Sequence, residues 1–573
     1  MEERIPKIWR AGAPDEKAAA KLASDLGISD LAARVLTVRG ADPAAPFGSL
    51  ALSDPFGIPD MGIAARLVNE ALDAGEKIAV FGDYDADGVC AASLMVSWLR
   101  SRGASAVVRL PDRFSEGYGL GAAAVRELAD AGTKLLITVD CGVSCPDEIA
   151  LAKSLGMKTV VTDHHICPGI LPGADAVVDP HRPDSKAGFF DICGCVVALK
   201  LVCAAEILRG VPDALRIYTR KYCDLAALAT AADVMPLMGE NRLIVKLGTE
   251  KLKTDPVPGL AALLEAAGVK KIDSTALSFY LAPRINAAGR MAHPSLAAEL
   301  IGCEDPEECA TLAEQLNGLN SRRRTLESEV CDEAIEQLSR KLRERPVPLL
   351  FAAGEGWHPG VIGIAASRIC EKSGFPTFLV SISENGEGRG SCRAPHGFDV
   401  TSALSECSDI LIKFGGHAAA AGFSVRAEDL PLLEKRLCDI AVRRGVDRVR
   451  AGVDCDCRLR AEDLTYAAAS SLEALEPFGE GNPRPFFMLE DALISGCFAL
   501  SEGKHTRLLV SKDGAPLTAL CFGMAFGAFP FKRGDRVDLA GYLEAREYGS
   551  ERGAALNVKN IRTHTQGGAG VDG

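Results

Sequence analysis

The sequence contains no C-x-x-C pair, and its nineteen cysteines are an odd number. Zinc ribbons and redox-active dithiols usually show that spacing, and a complete disulfide framework uses cysteines in pairs. Several cysteines lie in apolar runs with a helical pattern, among them Cys203, Cys370 and Cys438, where a thiol behaves as a small hydrophobic side chain. We therefore predict reduced cysteines in the protein core, as is usual for a cytosolic protein.

Long apolar runs are missing as well, since no uninterrupted stretch reaches the roughly 18 residues that a membrane-spanning helix needs. The N-terminal stretch MEERIPKIWRAG does not show the charged and then apolar order of a secretory signal. We therefore expect a cytoplasmic protein with no membrane partner.

An excess of positive charge is also absent, because the formal net charge is −13 at pH 7. The overall electrostatics therefore do not favour a polyanionic partner. Arginines clustered on one face could still bind phosphate, and acidic metal ligands would add to the negative total.

A chain of 573 residues, 47% hydrophobic and 25% charged, should form roughly three or four globular domains. Between about 77 and 235, short β-rich runs alternate with helical runs, which favours a parallel, doubly wound sheet. The five β-rich runs are KIAVFG, SAVVRLP, KLLITVD, KTVVTD and DAVVDP. The predicted fold class is therefore α/β.

The sequence after this region changes character three times. A charged segment from Asp305 to about Arg345 has apolar residues at helical spacing without a sustained heptad seam, which predicts a long connecting helix. A second α/β segment follows Pro346, and short strands after about 448 predict a small β-barrel or sandwich. The predicted domains are a catalytic domain with an N-terminal extension (1–300), the connecting helix (301–345), a second α/β domain (346–447), a β-domain (448–565) and a disordered tail (566–573).

The stretch GDYDADG places three aspartates, Asp83, Asp85 and Asp87, at alternate positions before a glycine. A calcium-binding EF-hand loop begins with D-x-D-x-D-G but needs a glutamate at loop position twelve. That position is Leu94, and the preceding apolar run reads as a strand rather than a helix. A strand that leads into a carboxylate turn and then a helix is instead typical of an α/β active site.

Further oxygen and imidazole donors follow other predicted strands. They are Asp140 after LLITV, the run Asp163-His164-His165 after TVVT, and Asp233 after the helical run ALATAA. A single aspartate at a strand end is most often a helix cap, and a His-His pair alone is weak evidence. The ordered conjunction of these motifs is difficult to obtain from caps alone.

Oxygen-rich donors with a histidine suit Mn²⁺ or Mg²⁺ better than zinc. Carboxylates that bridge can hold two ions about 3.5–4 Å apart, which would activate water and neutralise a phosphate for in-line phosphodiester hydrolysis. We therefore predict a site for two divalent cations at the carboxyl edge of the sheet.

Two glycine-rich strings suit phosphate binding. In RGSCRAP a tight backbone would present Ser391 and Arg393, a hydroxyl and a guanidinium fork that match phosphate oxygens. In GGH, glycine would allow a close approach to a nucleotide beside His417, although the string could also be only a turn.

The motifs GDYDADG, VDCG, TDHH and TAAD resemble those of the DHH phosphoesterase superfamily. The strings PDRFSEGYGL, APRINAAGR, LNGLNSRRRTLE, WHPGVIGIAASRI, GSCRAP, KFGGHAAAAGFS and PFGEGNPRPFF are similar, in the same order, to those of the RecJ family of bacterial single-stranded-DNA exonucleases. The resemblance covers about 45–562. It implies a DHH catalytic domain, a DHHA1-like second domain that binds substrate, and a terminal OB-like barrel.

The resemblance also implies roles for individual residues. Two ions would be held by Asp85, Asp87, Asp140, His164 and Asp233, with His165 also catalytic and Asp83 and Asp163 orienting these ligands. The strand path would be lined by Arg113, Tyr118, Arg284, Ser391, Arg393 and His417, with Tyr118 stacking on a base. Arg284 could instead pair with a structural acid, and Arg322-Arg323-Arg324 is a solvated helix face or a DNA contact. Lys504, His505 and Arg507 are further candidate contacts.

The implied function is metal-dependent, 5′-to-3′ degradation of single-stranded DNA to 5′-mononucleotides, in DNA repair and recombination. The implied partners are single-stranded DNA, a single-strand-binding protein and a helicase, and the modular layout fits a monomer. One alternative is a superfamily hydrolase of short oligonucleotides or cyclic dinucleotides, although such relatives usually lack the OB-like domain. Another is an inactive replication scaffold, but such proteins lose metal ligands.

Two positions depart from the family pattern. Val196 stands where the family has a glycine after the string CGC, which predicts different local helix packing. Tyr548 stands where relatives often have a tryptophan, which affects one stacking contact.

Overall fold

The computed structural model describes residues 8–40, 52–344, 347–395, 397–445, 452–548 and 551–565. The tail 566–573 and the side chain of Tyr548 lie outside the described part of the chain. The chain divides into two compact units. The larger unit comprises 52–235 and 244–450, and the smaller one comprises 1–51, 236–243 and 451–573.

The described residues form eighteen β-strands and eighteen α-helices. In chain order, the strands are β1 Trp9–Ala11, β2 Ile78–Gly82, β3 Ala106–Arg109, β4 Leu135–Val139, β5 Lys158–Thr162, β6 Ala176–Val178, β7 Leu350–Glu355, β8 Thr377–Ile382, β9 Glu387–Arg393, β10 Leu411–His417, β11 Ala420–Arg426, β12 Val453–Cys455, β13 Cys457–Arg458, β14 Phe487–Leu500, β15 His505–Lys512, β16 Ala515–Cys521, β17 Arg536–Tyr548 and β18 Glu551–Thr563. The helices are α1 Glu16–Leu26, α2 Asp30–Val38, α3 Met61–Asp73, α4 Ala86–Ser101, α5 Ala122–Asp130, α6 Pro146–Ser154, α7 Gly194–Leu208, α8 Ala214–Ala232, α9 Gly239–Thr254, α10 Pro258–Ala266, α11 Ser274–Ala276, α12 Ala282–Met291, α13 Ser295–Gly302, α14 Pro306–Glu344, α15 Ile362–Ser373, α16 Val400–Ser405, α17 Leu430–Arg443 and α18 Tyr466–Ser471. A π-helical turn, Leu277–Leu281, joins α11 to α12.

A parallel five-stranded sheet of order β3-β2-β4-β5-β6 forms the first half of the larger unit. Every residue of β2 and β4 is buried, as expected of strands covered on both faces. Counted within the sheet, the order is 2-1-3-4-5, so the winding direction changes between β2 and β4. Ligands bind at such a switch point in doubly wound sheets. The predicted α/β fold with a parallel sheet is confirmed.

A mixed sheet of order β10-β11-β9-β8-β7 forms the second half of this unit. The 39-residue helix α14 would be about 58 Å long at 1.5 Å per residue. It packs against α10, α12 and α13 and against α15 and β7, and it shares a core in which Val330 and Ala334 meet Trp357 and Val361. The predicted long helix is therefore present.

The smaller unit contains a closed barrel in which β14, β15, β16, β18 and β17 follow one another and β17 pairs again with β14. Its interior is filled by apolar side chains such as Phe487, Leu489, Leu508 and Val537. The predicted β-barrel is confirmed.

The N-terminal helices α1 and α2 pack on this barrel, because Leu31 and Val35 belong to its core. The buried Arg34 guanidinium donates to both carboxylate oxygens of Asp463 at 2.5 and 2.6 Å. The predicted division places 1–300 in one catalytic domain, whereas the described residues 8–40 lie in the unit that holds the barrel. Local periodicity shows that these helices have an apolar face but not which distant surface covers that face.

None of the described helices is both long enough and apolar enough to cross a membrane. All nineteen cysteines lie in the described residues, most of them are buried, and none of them forms a disulfide.

Candidate metal centre

The turn after β2 places Asp85 at the N-terminus of α4. Its Oδ1 accepts hydrogen bonds from the amides of Asp87 and Gly88 at 3.0 and 3.1 Å, which makes it a helix N-cap. Asn286 Oδ1, on α12, accepts a hydrogen bond from the next amide, that of Ala86, at 2.8 Å. Because the cap uses only Oδ1, the second oxygen of Asp85 remains available to a ligand.

Asp87 is fixed by the N-terminus of α7. The Gly194 amide donates to Oδ2 at 2.7 Å and the Cys195 amide donates to Oδ1 at 2.8 Å. A Cβ on Gly194 would lie 2.6 Å from the Cβ of Asp140, so only glycine permits this approach. The start of α7 therefore sets the position of two carboxylates at once.

Asp140 follows β4 with a φ of +60°, a left-handed conformation that is uncommon for a residue other than glycine. Its Oδ1 lies 3.1 Å from Nε2 of His164. Residues held in such conformations concentrate at functional sites.

His164 faces three carboxylates, since Nε2 also lies 3.6 Å from Asp233 Oδ2 and 3.8 Å from Asp87 Oδ2. Asp233 follows α8 as its C-cap residue. Burial lowers the pKa of His164 to about 4, and the neighbouring His165 acts in the same direction. A neutral imidazole is the form that binds a metal ion.

Asp163 is fully committed to hydrogen bonds within the protein. Oδ2 accepts the Val143 amide at 3.0 Å, and Oδ1 accepts the amide of His164 and Nδ1 of His165, both at 2.8 Å. Burial disfavours the protonated form of His165, but the bond to Asp163 outweighs burial and raises the pKa of His165 to about 9. Asp163 therefore fixes the ring of His165 and the backbone of His164.

The remaining carboxylates repel one another. Burial, and then the charge of neighbouring aspartates, raises the pKa of Asp83 and Asp233 to about 8 and that of Asp87 to about 6. The pKa of Asp140 is also raised, by burial and by Asp87. Buried like charges of this kind need a cation between them to remain ionised.

Three groups of donor atoms each lie within 4.8 Å of one another: Asp83/Asp85/Asp140, Asp87/His164/Asp233 and Asp140/His164/His165. Three buried oxygens, Asp83 Oδ1, Asp140 Oδ1 and Asp233 Oδ2, accept no hydrogen bond. Carboxylate oxygens with an imidazole are ligands suited to Mn²⁺ and Mg²⁺. The donor set therefore fits hard divalent cations, and all eight predicted Asp and His residues lie at this centre.

The predicted strand-binding residues occupy several places in the larger unit. The Arg113 guanidinium lies over the ring of Tyr84, 4.9 Å from its centroid. The Tyr118 hydroxyl lies 3.3 Å from Nδ1 of His165, and the Tyr118 ring is half exposed. These two residues therefore border the centre.

Arg393 and Ser391 lie together on β9, where Nη1 of Arg393 donates to the Ser391 hydroxyl at 3.2 Å. A Cβ on Gly363, at the start of α15, would lie 3.0 Å from that hydroxyl. The free amides of a helix N-terminus attract anions, so these groups could bind a phosphate. His417 lies farther along the sheet, exposed at the end of β10.

Arg284 and the residues of the run Arg322-Arg323-Arg324 differ in their exposure and in their hydrogen-bond and ion-pair partners. Arg284 Nε donates to Asn317 Oδ1 at 3.0 Å and not to a structural acid. Arg322 and Arg324 are exposed on α14, whereas Arg323 pairs with Glu327 at 3.0 Å. The exposure of Arg322 and Arg324 is compatible with either interpretation of the run, a solvated helix face or a DNA contact.

The sequence analysis did not identify the residues that contact the backbone around the predicted metal ligands. Asn286 and Gly289 belong to the string APRINAAGR; the former bonds to the Ala86 amide, and a Cβ on the latter would lie 2.7 Å from the Tyr84 carbonyl oxygen. Gly194 belongs to the string CGC. The sequence analysis singled out only the neighbouring Val196, which is buried in α7. The signal in both cases is a glycine or asparagine within an otherwise helical run.

Protein-family models match three segments of the chain. The DHH family, N-terminal domain, matches 77–230, the DHHA1 domain matches 347–442, and the RecJ OB domain matches 455–560. The single-stranded-DNA-specific exonuclease RecJ of Bacillus subtilis is 34% identical over 563 residues, which are 96% of this chain and 70% of that protein. The chain belongs to the RecJ family.

Solved structures of RecJ from Thermus thermophilus agree with this assignment. The structure in complex with Mn²⁺ has a TM-score of 0.84 at 29% identity and covers 97% of this chain and 80% of that chain. The structure in complex with Mg²⁺ has a TM-score of 0.77 at 29% identity, with 97% and 79% covered. The RecJ fold therefore extends over nearly the whole sequence.

Proposed function

We propose that this protein is a single-stranded-DNA-specific exonuclease that degrades its substrate in the 5′-to-3′ direction to 5′-mononucleotides with Mn²⁺ or Mg²⁺. The observation that carries the proposal is the group of buried aspartates at the sheet's switch point, three of whose oxygens accept no hydrogen bond. The names of its RecJ relatives, which are single-stranded-DNA-specific exonucleases, support the substrate.

The proposed ligands of two ions are Asp85, Asp87, Asp140, His164 and Asp233. When bound, such ions neutralise phosphate charge and lower the pKa of water, which is the chemistry that in-line hydrolysis requires. We place Asp83 and Asp163 in supporting positions: Asp163 accepts the amide of His164, and Asp83 lies beside Asp85 and Asp140. Asp163 fixes Nδ1 of His165, and the protonated ring would donate from Nε2 to a phosphate oxygen or to the leaving 3′ oxygen.

The proposed strand path runs past Arg113 and Tyr118 to Ser391 and Arg393. Burial lowers the pKa of Arg393, and the nearby Arg113 acts in the same direction, so an anionic phosphate between these guanidinium groups would relieve their repulsion. Arg284 and His417 would contact the strand farther along. A path that holds the 5′ phosphate beside the ions would set the polarity of digestion.

Binding of metal should stabilise the fold measurably. Mn²⁺ at about 100 times its dissociation constant would add about 2.7 kcal/mol to the unfolding free energy, so we expect a rise in Tm of roughly 3–8 °C. The physical reason is that the cations relieve repulsion among the buried carboxylates. Differential scanning fluorimetry with Mn²⁺ and then with EDTA measures the change. Asp130→Asn, at an exposed site, serves as the control and should show the same rise in Tm as the wild type. If Mn²⁺ raised the Tm of Asp87→Asn as much, Asp87 would not be a metal ligand.

The barrel offers a surface for single strands. The Arg507 guanidinium lies 5.1 Å from the centroid of the Phe498 ring, and the two residues are paired across β14 and β15. His505 packs edge-on against Phe522 at 5.4 Å. Exposed aromatic rings beside cations bind bases and backbone without sequence preference.

Truncating this surface should weaken the use of long substrates. For Phe498→Ala and Arg507→Ala we expect the KM for a 40-nucleotide strand to rise roughly tenfold, the loss of one stacked base. The kcat for a trinucleotide should be unchanged, because the proposed metal ligands all belong to the larger unit. Steady-state kinetics on both substrates measure these values. Lys512→Ala, at the end of the β-strand β15 that carries Arg507, serves as the control. Equal losses on both substrates would contradict a binding role.

The proposed setting is cytoplasmic DNA repair and recombination by a monomer, with a single-strand-binding protein and a helicase as partners. The second candidate function is hydrolysis of short oligonucleotides, which shares the metal centre but gives no role to the barrel. Turnover of a long single strand, a duplex of the same sequence and a dinucleotide separates the two. We expect the single strand to be degraded fastest by kcat/KM; preferential cleavage of the dinucleotide would refute the exonuclease assignment.

A further inference from the structure

Two aromatic side chains point outward from the π-helical turn that precedes α12. Phe279 is 72% exposed and Tyr280 is 43% exposed, while Leu277 and Leu281 on the same turn are fully buried. The turn is thus anchored in the core by its leucines and presents its rings to solvent. π-helical turns are rare and are frequent at functional sites.

The turn is bonded to the helix that delivers Asp233. The Ser278 hydroxyl donates to the Ala231 carbonyl at 3.3 Å, and the turn packs against α8. Val234, the residue after Asp233, is 63% exposed and has a φ of +56°. That conformation is strained for a β-branched residue, and exposed apolar side chains lie on both the turn and the residue after Asp233.

An arginine guanidinium lies next to the turn that carries Phe279 and Tyr280. Arg284 Nη1 donates to the Tyr280 carbonyl at 2.7 Å, which places the guanidinium within one turn of the aromatic pair. Burial and then the exposed Arg324 on α14 lower the pKa of Arg284, against weaker opposing effects of Tyr280 and Glu314. Two guanidinium groups that repel each other near exposed aromatic rings favour a ligand with both anionic and planar apolar groups.

We propose that Phe279 and Tyr280 form a stacking platform for bases of the single strand, while Arg284 and Arg324 hold adjacent phosphates. The inference rests on the proposed function and adds a base-contacting element to it. Aromatic stacking together with backbone contacts by arginine is the combination that binds single strands without sequence preference. Paired bases in a duplex do not offer their faces, so the platform also selects against double strands.

Binding without hydrolysis tests this proposal. Fluorescence anisotropy in EDTA would measure the affinity of the full-length protein for a labelled single strand and for strands with one abasic site at successive positions. Phe279→Ala should weaken binding of the intact strand about tenfold. An abasic site at the stacking position should weaken the wild type equally but should not weaken the variant further. Phe279→Trp should retain affinity, and Phe56→Ala, which removes another exposed ring of this unit, should have no effect.

A second measurement needs no variant. Photocrosslinking of wild-type protein to a strand that carries 5-iodouracil should join the base to a peptide that contains 279–280. Unchanged affinity of Phe279→Ala and no crosslink to this peptide would overturn the platform alone, including the case in which a protein partner covers these rings. Failure of the wild type to bind any single strand would overturn the proposed function as well.

Discussion

Asparagine in place of Asp87 is expected to reduce the rate of strand hydrolysis at least about 1000-fold. The substitution keeps the shape of the side chain, and one amide oxygen can still accept a bond from the α7 amides, but it removes the charge that faces His164 and Asp233. A bound ion contributes several kcal/mol of transition-state stabilisation, and about 4 kcal/mol corresponds to a factor of 1000. Single-turnover kinetics on a 3′-labelled single strand with Mn²⁺ measure the change.

Two controls belong with this measurement. Asp130→Asn removes one negative charge at an exposed position on α5 and should have wild-type activity, which excludes an effect of net charge. Circular dichroism should show that Asp87→Asn is folded. Activity within tenfold of the wild type in a folded Asp87→Asn variant would mean that this carboxylate does not hold an ion.

Alanine in place of Gly194 should disable the centre without changing any proposed ligand. The added Cβ would lie 2.6 Å from the Cβ and 2.8 Å from the Cα of Asp140, so α7 or the end of β4 must move. A displacement of about 1 Å at a catalytic group can cost about 100-fold in rate, and the overpacking should cost about 1–3 kcal/mol of stability. Hydrolysis rates and urea denaturation test both values.

Gly302→Ala provides the matched control, because a Cβ at that exposed helix end would meet no atom within 4 Å. It should retain the activity and stability of the wild type. A Gly194→Ala variant with normal activity would show that the close approach of α7 to Asp140 is not needed for the reaction.

The sequence predicts the strands and the aspartates that follow them because both signals are local. Continuous apolar runs mark β2 and β4 as buried strands, and D-x-D-x-D-G marks a turn before a helix. Asp85 shows that the cap and ligand interpretations are compatible, since capping occupies only Oδ1. Parallel strands then place their following residues at one edge.

The parts that sequence does not predict depend on contacts between distant segments. Asn286 accepts a hydrogen bond from the amide of Ala86, which is 200 residues away in the sequence. No local pattern specifies that bond. Aspartate tolerates the left-handed backbone of Asp140 better than most residues do, but the residue type alone does not specify that conformation. The same reason explains why the sequence groups helices α1 and α2 with the catalytic domain, although their apolar faces pack on the barrel.

The central claim is metal-dependent digestion of a single strand from its 5′ end, and a 3′-labelled oligonucleotide tests it most directly. With Mn²⁺, the wild type should produce a ladder of progressively shorter labelled fragments and unlabelled 5′-mononucleotides, and EDTA or Asp87→Asn should abolish both. Immediate release of the labelled nucleotide would show digestion from the 3′ end, and shortening that persists in EDTA would show that the carboxylate centre does not act through metal ions; either result would contradict the account.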